Sequence, residues 1–89
     1  MAEKTVVQLE VIYGAKNPSA FTTRNIRRMY EKLERMGKGD AERIATRMEN
    51  GRKYDVFQCK DGSEVWFDIT EYFQELMRLV DGVRKASLN

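Results

Sequence analysis

This 89-residue chain predicts an α+β fold. The expected architecture is a small three-stranded, mainly antiparallel sheet with helices packed on one face, in the order β-α-α-β-β-α. Three observations carry that expectation. Asp61-Gly62 stands between two segments of alternating character, the strongest short-range signal for a tight hairpin. Residues 5–13 alternate, with Val7, Leu9, Val11 and Tyr13 on one face and Gln8 and Glu10 on the other. Apolar residues at three- and four-residue steps mark amphipathic helices near residues 22–36 and 70–83.

The elements follow in order. Residues 5–13 form a strand, and Gly14 to Ala20, containing Asn17-Pro18, form a loop. A helix starts at Thr22 or Thr23. With Thr22 as N-cap, Phe21 and Ile26 occupy the two positions of a hydrophobic staple. Its apolar stripe is Ile26, Met29, Tyr30, Leu33 and Met36, and Gly37 is a natural C′ stop. Asp40 caps a second, shorter helix with Ala41, Ile44, Ala45 and Met48 inward and Arg43, Thr46, Arg47 and Glu49 outward; Gly51 ends it. The hairpin follows. The last helix begins between Asp68 and Thr70 and buries Tyr72, Phe73, Leu76, Leu79, Val80 and Val83, with fraying expected over residues 84–89. No repeat or second domain is visible, so residues 1–89 form one domain with a thin core.

A two-residue type I′ turn at Asp61-Gly62 sets a register in which Phe57 faces Trp66 and Asp55 faces Asp68. Tyr54, Val56, Val65, Phe67 and Ile69 then share the core face. The other face carries Asp55, Phe57, Cys59, Glu64, Trp66 and Asp68. Its aromatic pair between acidic positions suits Arg or Lys from a partner, through carboxylate bonds and cation–π contact. Asp55, Phe57, Glu64, Trp66 and Asp68 are therefore the candidate protein-binding residues. Two structural alternatives stay open: Asp68 capping the following helix, and Trp66 lying beneath the N-terminal segment. Charged neighbours favour exposure of Trp66, because burying them unpaired is costly. Cys59 beside Glu64 is expected to be an unreactive thiol.

Charge is divided along the chain. The net charge is only +2. Residues 24–53, however, hold ten Lys/Arg against five Asp/Glu, and residues 54–83 hold two against seven. Arg24, Arg27, Arg28, Arg43, Arg47, Arg52 and Lys53 form a candidate basic surface. Two helices joined by a Gly-containing turn and followed by a hairpin resemble the winged-helix pattern in element order. That resemblance implies a DNA- or RNA-binding regulator reading bases with Arg43, Thr46, Arg47 and Asn50, and phosphates with Arg52 and Lys53. A first helix of about four turns and an acidic wing (Asp55, Asp61, Glu64, Asp68) count against it. Solvated helix faces laced with i,i+4 pairs are the plainer reading of those arginines.

The chain has no histidine and one cysteine, which removes the usual general base, the commonest transition-metal ligand and any Cys–His nucleophile pair. No enzyme activity, cofactor or metal is expected. The segment Met1–Thr5 lacks the apolar run of a signal peptide, and nothing reads as a membrane span, so the cytosol is the expected compartment. The leading functional expectation is a small non-catalytic binding protein. It would be an adaptor or stoichiometric inhibitor of a protein or nucleoprotein partner, of the kind mobile genetic elements encode. Opposite charge on two sides of one body also allows a homodimer.

Overall fold

The computed structural model describes residues 3–87, which run β1 (Lys4–Gln8), α1 (Pro18–Arg35), β2 (Glu42–Glu49), β3 (Arg52–Gln58), β4 (Glu64–Asp68) and α2 (Thr70–Ser87). The α+β class holds. The sheet, however, has four strands in the order β1-β4-β3-β2 and is mixed: β1 runs parallel to β4, and the other neighbours are antiparallel.

Residues 42–49, expected to be a second helix, are a strand. The reason lies just beyond them. Asn50 and Gly51 adopt φ values of +52° and +75°, and Glu49 pairs with Arg52 across them. Two successive left-handed residues make the type I′ reversal that matches strand twist. The chain is thus turned back onto β3, and seven paired residues of ladder outweigh the modest helix preference of Ala, Glu, Arg and Met. Asp40 caps nothing helical; its Oδ2 accepts the Lys60 N–H at 3.2 Å. A bulge between Arg43 and Ala45 interrupts the ladder at Ile44. With a strand in place of a helix between α1 and β3, the winged-helix order is absent.

The second hairpin differs by one residue from expectation. The Gly62 N–H donates to Cys59 O at 3.0 Å and the Cys59 N–H to Ser63 O at 2.8 Å. Of the loop residues only Gly62 is left-handed, at φ +87°. The connection is therefore the three-residue type, Lys60 to Gly62, not a type I′ pair. Asp61 Oδ1 fixes it by accepting the Ser63 N–H (2.9 Å) and Oγ–H (2.6 Å). Phe57 consequently faces Val65, Val56 faces Trp66, and Tyr54 faces Asp68. A one-residue slip exchanges the two faces of β3 relative to β4. Asp55, Phe57, Val65 and Phe67 point to the helices, and Tyr54, Val56, Glu64, Trp66 and Asp68 point away.

α1 begins four residues earlier than expected. Asn17 is its N-cap, accepting the Ala20 N–H at 2.8 Å, and Pro18 takes the first helical position, where a missing N–H costs nothing. The end was anticipated: Gly37 N–H donates to Glu34 O and Lys38 N–H to Leu33 O, a Schellman pair. The buried side of α1 is Phe21, Asn25, Met29 and Leu33, while Ile26 and Tyr30 of the expected stripe sit at its margin, 38% and 46% exposed. Asn25 holds a core position because its amide is fully used. Its Oδ1 accepts the Ile12 N–H (2.8 Å), and its Nδ2 donates to Ile12 O (3.1 Å) and Phe21 O (2.9 Å). That clamp ties the segment after β1 onto α1. The core then joins Phe21, Met29 and Leu33 to Leu9, Phe57, Val65, Phe67, Ile69 and Tyr72, all on the helix side of the sheet.

Candidate functional site

The expected acidic-aromatic patch is divided between the two sides of the sheet. Phe57 is 1% exposed within the core, its ring meeting Tyr30 and Phe67 edge-on. Asp55 is on the same side and buried. Glu64, Trp66 and Asp68 lie on the helix-free face, but the indole there is only 6% exposed. Lys4 Nζ stands 3.7 Å from its ring centroid, Tyr54 packs against it at 5.6 Å, and its Nε1–H donates to Glu64 Oε1 at 2.9 Å. β1 lies beside Trp66 in the sheet and its Lys4 side chain reaches over the ring, so the chain itself supplies a cation there.

The same holds for the carboxylates. Asp55 Oδ1 accepts from Arg43 Nε (3.2 Å) and Thr46 Oγ1 (3.0 Å). Asp68 Oδ2 accepts from Arg52 Nε (2.8 Å), and its Oδ1 from the Thr70 N–H (3.1 Å) and Oγ1–H (2.7 Å), so Asp68 also closes the first turn of α2. Burial pushes the Asp68 carboxyl up, but the bonds from Arg52 and Thr70 outweigh it and hold it below the ordinary range. Glu71 is lowered first by its own backbone N–H and then by Arg52 Nη2, which lies 3.1 Å from each carboxylate oxygen.

The expected basic surface is scattered as well. Arg43 and Lys53 are on the helix side of the sheet, Lys53 with its ammonium 3.5 Å from the Phe73 ring centroid. Arg47 and Arg52 belong to the other face. Arg24, Arg27 and Arg28 stay on α1. Arg24 and Arg27 make no ion pair among the described residues, and Arg28 Nη2 lies 2.7 Å from Glu10 Oε2.

What the fold does assemble is a groove of about 110 Å3 between α1 and β1, lined by Val7, Gln8, Leu9, Glu10, Arg28, Lys32, Arg35 and Phe67. Three cations thus border a groove whose accessible apolar part is Val7, with Leu9 and Phe67 buried beneath it, and Glu10 is the only acid in the lining. Arg35 reaches Glu31 only at 3.9 Å, and both side chains are well exposed. Beside the groove lies the outer edge of β1. The Leu9 N–H donates to Asp68 O and Glu3 O accepts the Glu64 N–H, so the odd-numbered residues direct their backbone groups to β4. Alternation turns the N–H and C=O of Lys4, Val6 and Gln8 outward. No backbone group outside the ladder bonds them among the described residues.

Arg28 alone of the groove's charged residues belongs to the expected set. The signal was present: Arg28, Lys32 and Arg35 recur at four- and three-residue steps and so share one helix face. Nothing local showed that β1 would lie along that face. Among the described residues no cluster of Cys, Asp or Glu is placed to hold a metal, and no helix is long and apolar enough to cross a membrane. No protein-family model, curated protein or solved structure matches this chain.

Proposed function

We propose that this is a non-catalytic binding protein, an adaptor or stoichiometric inhibitor, that engages a protein partner through the groove between β1 and α1. One observation carries the reading: Arg28, Lys32 and Arg35 border a narrow groove beside the half-buried Val7, over the buried Leu9 and Phe67, with Glu10 as the only acid in the lining. Elsewhere the sheet's buried carboxylates are neutralised within the chain, by Arg43 and Arg52. Arg28 is held by Glu10 and Arg35 only loosely by Glu31, while Lys32 makes no ion pair among the described residues; that surplus of positive charge favours an acidic partner, whose approach it also accelerates.

The test is comparative capture from extracts of the native host. Immobilised wild-type protein is expected to retain a protein that the double variant Lys32→Glu/Arg35→Glu loses. Far-UV circular dichroism and melting temperature should match in the two proteins, because both side chains are surface charges. Equal retention by the variant would refute the groove. Capture of nucleic acid alone, lost steeply with added salt, would refute the protein partner.

A further inference from the structure

We infer that the groove accepts an extended segment of a partner as a fifth strand, added to the outer edge of β1, with glutamates on alternate positions facing α1. The inference rests on the groove reading above and specifies its ligand. Lys4, Val6 and Gln8 turn backbone donors and acceptors outward from the sheet, the feature by which an edge recruits another strand. A strand placed there lies about 4.8 Å from β1. One of its faces looks toward the α1 cations and the other continues the surface of Val6, which is 56% exposed.

The spacings agree. Arg28 to Lys32 is four helical residues, an advance of about 6 Å, and two residues of an extended chain advance about 6.6 Å. Carboxylates two residues apart therefore match the Arg28–Lys32 step, whereas Lys32 to Arg35 is shorter, about 4.5 Å, and is bridged by side-chain length. Glu10 already shows the chemistry, with its carboxylate on Arg28 at 2.7 Å. Glutamate suits the place better than aspartate, because its longer stem crosses the half-buried Val7 before its charge reaches the rim. The opposite face of the segment carries valine-like residues beside Val6. A second copy of this chain is a poor occupant of the same edge, since apposing two such grooves brings like charges together.

The probe is a seven-residue peptide alternating glutamate and valine, capped at both ends, titrated into the full-length protein at low salt and followed by amide chemical shifts. Saturable shifts are expected at the amides of Lys4, Val6 and Gln8. Lys32→Glu and Arg35→Glu should each weaken binding about three- to fivefold. Val6→Pro should weaken it about tenfold, because it removes an outward N–H while sparing every bond to β4. Should Val6→Pro fail to fold, peptide methylation decides: methylating the backbone nitrogens on one alternate set should abolish binding, and on the other leave it intact. Loss on Lys32→Glu together with indifference to Val6→Pro and to methylation would overturn strand addition while leaving the groove in place. Absence of saturable binding, with host partner capture still sensitive to Lys32→Glu/Arg35→Glu, would overturn the acidic-strand assignment alone. An oligothymidylate that displaces the peptide and binds Val6→Pro as tightly as wild type would overturn it in favour of phosphate.

Discussion

Asn25→Ala removes the side chain that fastens the segment following β1 to α1, and its cost can be worked from the geometry. Asn25 is fully buried and makes three hydrogen bonds, two to the backbone of Ile12 and one to Phe21 O. Phe21 O loses little, since it sits within α1 and the helix supplies its usual acceptor bond. Ile12 loses a donor and an acceptor contact in a half-buried setting, at about 1 kcal/mol each with some residual desolvation. The space left by the amide adds a similar amount, and the better helix propensity of alanine returns about 0.6 kcal/mol. The expected net loss is about 3 kcal/mol. For a domain of this size that corresponds to a melting temperature lower by roughly 12–24 °C. Urea unfolding followed by far-UV circular dichroism measures it, and hydrogen exchange at the Ile12 amide localises it. Asn25→Asp keeps one acceptor but sets a carboxylate against two carbonyl oxygens. It should be at least as damaging at neutral pH and should recover in part as acid protonates the buried carboxyl, whose pKa burial raises. A loss below about 1 kcal/mol in Asn25→Ala, with Ile12 still protected, would refute the clamp.

Two further expectations follow from the same geometry. The Asp68 and Glu71 carboxyls are held low in the fold, so the stability they contribute is complete above their unfolded pKa values of about 4 and disappears as pH falls through their lower folded values. Arg52→Ala should lower stability at pH 7, modestly because the guanidinium is exposed and its pairs are screened by solvent. It should also flatten the acid limb of a urea-midpoint profile between pH 2 and 6; an unchanged limb would show that Arg52 is not the cause. Gly62→Ala should destabilise by about 1 kcal/mol through its left-handed backbone, whereas Gly82→Ala, within α2 and with no atom within 4 Å of the new methyl, should stabilise by about 0.5–1 kcal/mol. Opposite signs in thermal melts distinguish turn geometry from helix propensity.

The parts of the fold legible in the sequence were those fixed by local chemistry. Gly37 closes α1, α2 starts at Thr70 beside Asp68, and Tyr72 faces the core. The hairpin at Asp61-Gly62 was legible as a reversal but not in its register. Val65, Trp66 and Phe67 are consecutive apolar residues, and Val56 and Phe57 adjoin likewise. Either register therefore places apolar groups on both faces, and a period of two cannot choose between them. The choice rests with the loop, where Asp61 bonds forward to Ser63 and leaves only Gly62 left-handed. β2 was hidden for a different reason. Ala41 to Glu49 has acceptable helical spacing, and its strand state depends on β3, a partner that local spacing cannot see. Asn50-Gly51 was the available signal: Gly51 reads as a helix stop and Asn50 as a base-reading residue, whereas the two left-handed residues together make a hairpin. Asn25 escaped because an amide at a helical core position is recognisable only once its backbone partners are known.

The divided charge carries the functional argument. Ten cations in one stretch and seven acids in the next suggested two surfaces, each awaiting a partner. The fold instead closes much of that imbalance on itself. β2 lies against β3, giving Arg43 to Asp55, and the start of β3 lies beside the end of β4, giving Arg52 to Asp68 and Glu71. Trp66 is treated in the same way, by Lys4 from β1. These groups shape the sheet, so their substitution should read out as stability before it reads out as affinity. Beside the edge of β1, the α1 face carries Lys32 with no ion pair among the described residues, Arg35 only 3.9 Å from Glu31, and Arg28 bound to Glu10. Recognition is assigned there because both of its ingredients remain unspent: positive charge exceeding its local acid, and backbone groups that the chain has not paired.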